Sequence, residues 1–172
     1  MSKIKIYTLF ILSTILISCS NFDKQAKPLY KDLVKLYGLS LKKSQTTQLV
    51  WSTAIFDNKY ALALSDDFNA TYVSDFNHAL LKMEADADIF NINRQIKSLR
   101  DETTNEIKEI SDKKNESYDK MLSLYTNVIA LSEIALKPSG SLQSYSTDVK
   151  NYETEINKLI TEISVRNPDL EK

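Results

Sequence analysis

The sequence predicts an all-α protein, an elongated antiparallel up-down bundle of about four helices with coiled-coil-like seams. Three observations lead there. Glycine occurs only at Gly38 and Gly140, and proline only at Pro28, Pro138 and Pro168, too few turn-formers for the many turns of all-β or α/β folds. Apolar residues recur at alternating spacings of three and four, the period of a helix buried along one stripe. The turn signals are far apart, and the short turns they mark place sequential helices antiparallel. With 172 residues, 42% of them hydrophobic, the chain can bury a sizeable core in one domain.

The first helix is expected to begin near Pro28, which suits position N1, and to bury Leu29, Leu33, Leu36 and Tyr37. A polar patch from Lys42 to Gln48 interrupts it before Leu49, Val50, Trp51, Ala54 and Ile55 resume. The helix either breaks at Asp57-Asn58 or continues to about Leu64, where Ser65-Asp66-Asp67 gives a turn and cap signal. The second segment is expected to run unbroken from about Phe68 to Ile110. Its seam of Val73, Phe76, Leu80, Met83, Ala87 and Phe90 is widened by Leu81, Ile89 and Ile92, then shifts phase to Ile96, Leu99, Thr103, Ile107 and Ile110. The third runs from about Glu116 to Leu136, with Tyr118, Leu122, Tyr125, Ile129, Ser132 and Leu136 on its seam. Pro138, a left-handed Gly140 and a capping Ser141 separate it from the fourth. That last helix has the cleanest period, through Leu142, Tyr145, Val149, Tyr152, Ile156, Leu159 and Ile163, and Asn167-Pro168 ends it.

Ahead of the helices the chain reads as an address. Lys3 and Lys5 form a basic start, Ile6 to Ile17 an apolar run, and Ser18 a small residue before Cys19. The run is shorter than the roughly 20 residues a spanning helix needs, and the three-part pattern is that of a secretory signal peptide. Leu16-Ile17-Ser18-Cys19 is similar to the lipobox of bacterial lipoproteins. That resemblance, confined to the first 19 residues, implies a diacylglycerol thioether on Cys19 and cleavage just before it. It also implies an exported protein held at a cell membrane or outer membrane, since Ser20 does not resemble the acidic inner-membrane retention signal. The chain then divides into a signal peptide (1–18), a lipidated Cys with a short tether (19–27) and a helical body (28–172). As a polar tether, Ser20 to Lys27 reaches at most about 26–29 Å.

The four segments differ in length, roughly 54, 65, 32 and 39 Å at 1.5 Å per residue. The last two therefore cannot cover the far ends of the first two. Those ends carry Trp51, Phe56, Tyr60, Phe68, Tyr72 and Phe76. Either the chain bends at Asp57-Asn58 and folds them into a small core, or Trp51, Phe56, Tyr60, Phe68 and Tyr72 form a partner surface away from the membrane.

The sequence offers little for catalysis. Two distant glycines write neither a G-x-G-x-x-G motif nor a P-loop. One His and one Cys exclude a multi-histidine site and an internal disulfide. His78 has Leu81 and Lys82, not carboxylates, at the positions sharing its helix face, so it does not form a metal site with Glu84, Asp86 and Asp88. Asp101 and Glu102 sit among Lys97, Arg100 and Lys108, a solvated charge-laced face. Loss of residues 1–18 removes Lys3 and Lys5, leaving 20 basic against 23 acidic side chains, net −3. Such a mixed surface gives no footprint for nucleic acid. The expectation is a non-enzymatic protein-binding or scaffold lipoprotein without cofactor or metal. The alternative is a lipid or small-ligand binder with a cavity lined by Met83, Phe90, Tyr125 and Tyr152.

Overall fold

The computed structural model describes residues 3–60 and 71–170, with side chains for 22–59 and 73–170. The expected all-α class holds. Among the described residues there are five helices rather than about four: α1 (Lys3–Asp57), α2 (Phe76–Glu84), α3 (Ala87–Glu109), α4 (Glu116–Leu136) and α5 (Leu142–Arg166), closed by a 3-10 turn at Pro168–Leu170. A minimal antiparallel ladder pairs Lys59–Tyr60 with Thr71–Tyr72. α1 packs against all four other helices. Among the described residues no helix is long and apolar enough to cross a membrane.

The first helix does not start at Pro28. Pro28 lies inside α1 and is exposed, so water can satisfy the carbonyl that its missing N–H leaves free. Nor are residues 22–27 a polar tether: they are helical, and Phe22 and Ala26 are fully buried in the core. The helix does end at Asp57-Asn58. Asn58 takes φ 51°, a left-handed conformation that Asn tolerates, and its carbonyl accepts from the Val73 N–H at 3.1 Å.

The second segment is broken in two. Asp75 caps α2 by accepting from the His78 N–H at 2.9 Å. Asp86 then caps α3, its Oδ1 accepting from the N–H groups of Asp88 and Ile89. This break resets the helical phase. Phe90, expected on the seam, is 63% exposed, while Ile89 and Ile92 are buried. Beyond it Ile96, Leu99, Thr103, Ile107 and Ile110 are buried as expected. In α4 the seam is one residue off except at Ser132, buried as expected: Met121, Leu124, Val128, Leu131 and Ala135 are buried, and Leu122 is exposed. Both faces of α4 carry a three-four pattern, so period alone could not choose between them. In α5, Tyr145, Val149, Ile156, Leu159 and Ile163 are buried. Its start carries the expected Ser141 cap, with a reciprocal Ser144 bond after a Gly140 at φ 88°.

Candidate functional site: a polar layer inside the bundle

The buried stripe of α1 continues straight through the patch read as an interruption. Phe22, Ala26, Leu29, Leu33 and Leu36 are followed at the same three-four spacing by Ser40, Lys43 and Thr47, then by Val50 and Ala54. Ser40, Lys43, Ser44 and Thr47 are all fully buried. Helix period, not polarity, decides their burial: leaving the seam would require breaking α1.

Helices α2, α3 and α5 each bring a side chain to this layer. α2 brings Glu84, which pairs with the Lys43 ammonium. Glu84 is 35% exposed in its side chain, so the buried ammonium is held by a carboxylate at the rim. The other Glu84 oxygen accepts from Asn93 Nδ2 of α3 at 2.6 Å. Met83 Sδ lies 3.9 Å from Thr47 Oγ1, whose hydroxyl donates to the Lys43 carbonyl at 2.9 Å. α5 brings Tyr145, whose hydroxyl lies alongside Ser44 and Thr47 without reaching hydrogen-bond geometry. The buried hydroxyls of Ser40, Ser44 and Tyr145 all lack a partner. Burial pushes the Lys43 ammonium below its ordinary pKa against the opposing pull of Glu84. Burial likewise pushes the Tyr145 phenol up. Such a layer can hold a small polar guest or fix how the helices register.

Directly above it, Trp51 stacks on Phe76 at 3.8 Å between ring centroids, 10° from parallel. On its other side Trp51 meets Tyr145 at 5.8 Å. Trp51 is 5% exposed and cannot present itself to a partner, which corrects its place in the expected partner surface. Phe56 is 76% exposed, and Ile55 and Leu81 are exposed with it. The side chains of Tyr60, Phe68 and Tyr72, and those of Leu16, Ile17, Ser18 and Cys19, lie outside the described residues.

Met83, Phe90, Tyr125 and Tyr152 do not converge on a cavity. Met83 is fully buried while Phe90 faces solvent, and Tyr125 bonds Thr104 Oγ1 at 3.0 Å in an open groove with Lys97, Arg100 and Asp101. His78 is exposed, with Nδ1 3.4 Å from the Ser74 N–H at the start of α2. Among the described residues no three His, Cys, Asp or Glu side chains gather to hold a metal. Asp101 and Glu102 are exposed. Glu106, a residue that the sequence did not single out, has a pKa raised by burial and then by Asp32, Glu102 and Glu109.

Sequence reasoning missed the polar layer because it read Lys42–Gln48 by composition. The three-four spacing of Ser40, Lys43 and Thr47, continued from Leu36, was the available signal. No protein-family model matches this chain, and no curated protein or solved structure matches it either.

Proposed function

We propose that the chain is an exported lipoprotein, held to a cell-envelope membrane by diacylglycerol on Cys19, with its helical body acting as a non-enzymatic protein-binding or scaffold module. The observation that carries this reading is the lipobox-like Leu16-Ile17-Ser18-Cys19 behind a basic and apolar start. We read the body as an up-down arrangement in which α1, the α2–α3 pair, α4 and α5 alternate in direction. Its support is the order of contacts: Tyr30 with Ser164, Tyr37 with Asn157, Arg100 with Glu133 and Asn167 with Ser117.

The test is intact mass and membrane fractionation of the wild type beside Cys19→Ala, expressed in a bacterium. The expected result is a mass of residues 19–172 plus diacylglycerol, with the variant lost from the membrane. Unmodified wild type in the medium would overturn the reading. For the partner, a photo-crosslinker at Phe56 is expected to capture a distinct envelope protein that the same probe at Ser139 does not.

A second reading, a small-ligand binder, has one observation in its favour: the unpartnered hydroxyls of Ser40, Ser44 and Tyr145. It predicts a small polar molecule released on denaturing the purified protein, and absent from a Ser40→Ala/Ser44→Ala variant that still folds.

A further inference from the structure

We infer that one end of the bundle, formed by the α3–α4 turn and the close of α5, rests directly on the lipid headgroups beside the anchor. The helical body then stands on this end, with Phe56 at the end away from the bilayer. This rests on the reading of Cys19 as the lipid-bearing residue.

The argument is one of length. Phe22 is fully buried in the core and lies three residues after Cys19. Three residues span at most about 11 Å even when fully extended. The body is therefore tied close to its lipid whatever conformation Ser20 and Asn21 adopt. One turn further on, Gln25 Oε1 accepts from the Ser111 N–H at 3.1 Å and from Ser111 Oγ at 3.0 Å. These bonds fix the α3–α4 turn beside the first turn of the described core. The close of α5 is held at the same level. Tyr30 Oη and Ser164 Oγ are 2.9 Å apart, Asn167 Nδ2 donates to Ser117 Oγ at 3.0 Å, and Leu170 is buried. The polar headgroup layer is only about 5–7 Å deep on each side of the hydrocarbon. A body tied within about 11 Å of an acylated sulfur can stand off those headgroups by at most about 4–6 Å, one or two layers of water, and the seated arrangement closes that gap.

The chemistry of the face suits that neighbour. The turn exposes Lys113 and Lys114, and α1 exposes Lys24, ammonium groups that can donate to lipid phosphates. Glu116 and Asp169 are also exposed there, so the face is mixed in sign. Proximity is imposed by the anchor, and the lysines choose which side of the end turns downward. At the other end Phe56 lies 34 residues beyond Phe22 along the same helix, about 51 Å at 1.5 Å per residue.

The experiment uses the lipidated protein on vesicles of phosphatidylethanolamine and phosphatidylglycerol carrying a headgroup-attached quencher. The chain has a single cysteine, blocked by its lipid, so an introduced cysteine is the only free thiol. Lys114→Cys and Ser139→Cys, both in exposed turns, are labelled with a fluorophore. Quenching at 114 is expected to exceed that at 139 at least fivefold. An eight-residue Gly-Ser spacer between Asn21 and Phe22 is expected to bring 114 down towards 139. Equal quenching in protein that floats with the vesicles overturns the seating and leaves the anchor standing. Protein that does not float overturns the anchor and the seating together. Undiminished quenching with the spacer overturns the short tether as the cause.

Discussion

Two consecutive stretches of one helix face are built on opposite chemistry. From Phe22 to Leu36 the buried stripe of α1 is wholly apolar. From Ser40 to Thr47 the same stripe carries hydroxyls and an ammonium, equally buried. Neither stretch is more exposed than the other, so burial here follows position on the helix and not hydrophobicity. What differs is what the burial does. The lower stretch stabilises through area removed from water, which any well-fitting apolar neighbour supplies. The upper one costs desolvation, offset for Lys43 by Glu84, which Asn93 holds in turn, and this ties α1 to one arrangement of α2 and α3.

Four substitutions break or sharpen that comparison. The largest effect is expected in the apolar stretch: Leu33→Ala should cost about 3–4 kcal/mol in urea unfolding, the sum of lost transfer energy and a cavity. A loss below about 1 kcal/mol would mean that the lower core is loosely packed. Next is the ion pair. Glu84→Gln leaves the Lys43 ammonium buried without its counter-charge and should cost about 2 kcal/mol, below the usual value for a buried pair because Glu84 sits at the rim. Lys43→Met, with similar volume and no charge, should be neutral or stabilising; a loss as large as that of Glu84→Gln would sink the idea that the pair serves register rather than stability. Smaller still, Ser44→Ala should raise stability by up to about 1 kcal/mol, because it removes a buried hydroxyl without a partner.

The smallest effect is a pH dependence lower in the bundle. The Glu106 pKa is raised from 4.5, so the folded protein holds this proton to a higher pH than the unfolded chain does. Stability therefore falls as pH rises from about 4.5 through the raised value. Glu106→Gln removes that loss, raising Tm at pH 7 by about 2 °C or less, with the advantage gone near pH 4. An equal gain at both pH values would assign the effect to something other than the proton.

Several features were legible in the sequence because one short stretch carries each. Asp57-Asn58 and Pro138-Ser139-Gly140-Ser141 stop and start helices by local backbone preference. The α5 stripe has only one apolar face to bury, so its period identified Tyr145 to Ile163. The break at Asp86 was missed because its capping bonds compete with a plausible seam through Met83, Ala87 and Phe90. For Trp51 the sequence left two fates open, a small core or a partner surface, since the ring that covers it, Phe76, comes 25 residues later; its burial takes the first.

The sequence by itself determined the helical class, the turns at Asp57-Asn58 and Pro138 to Ser141, and the stripe of α5, all properties of neighbouring residues and of a fixed helical period. Only the tertiary structure decided which face of α4 turns inward, that Phe22 already belongs to the core, and that Lys43 lies buried against Glu84. Those outcomes depend on contacts between segments far apart in the chain. There the burial of one residue is fixed by the volume and hydrogen-bonding capacity of another that no local pattern names.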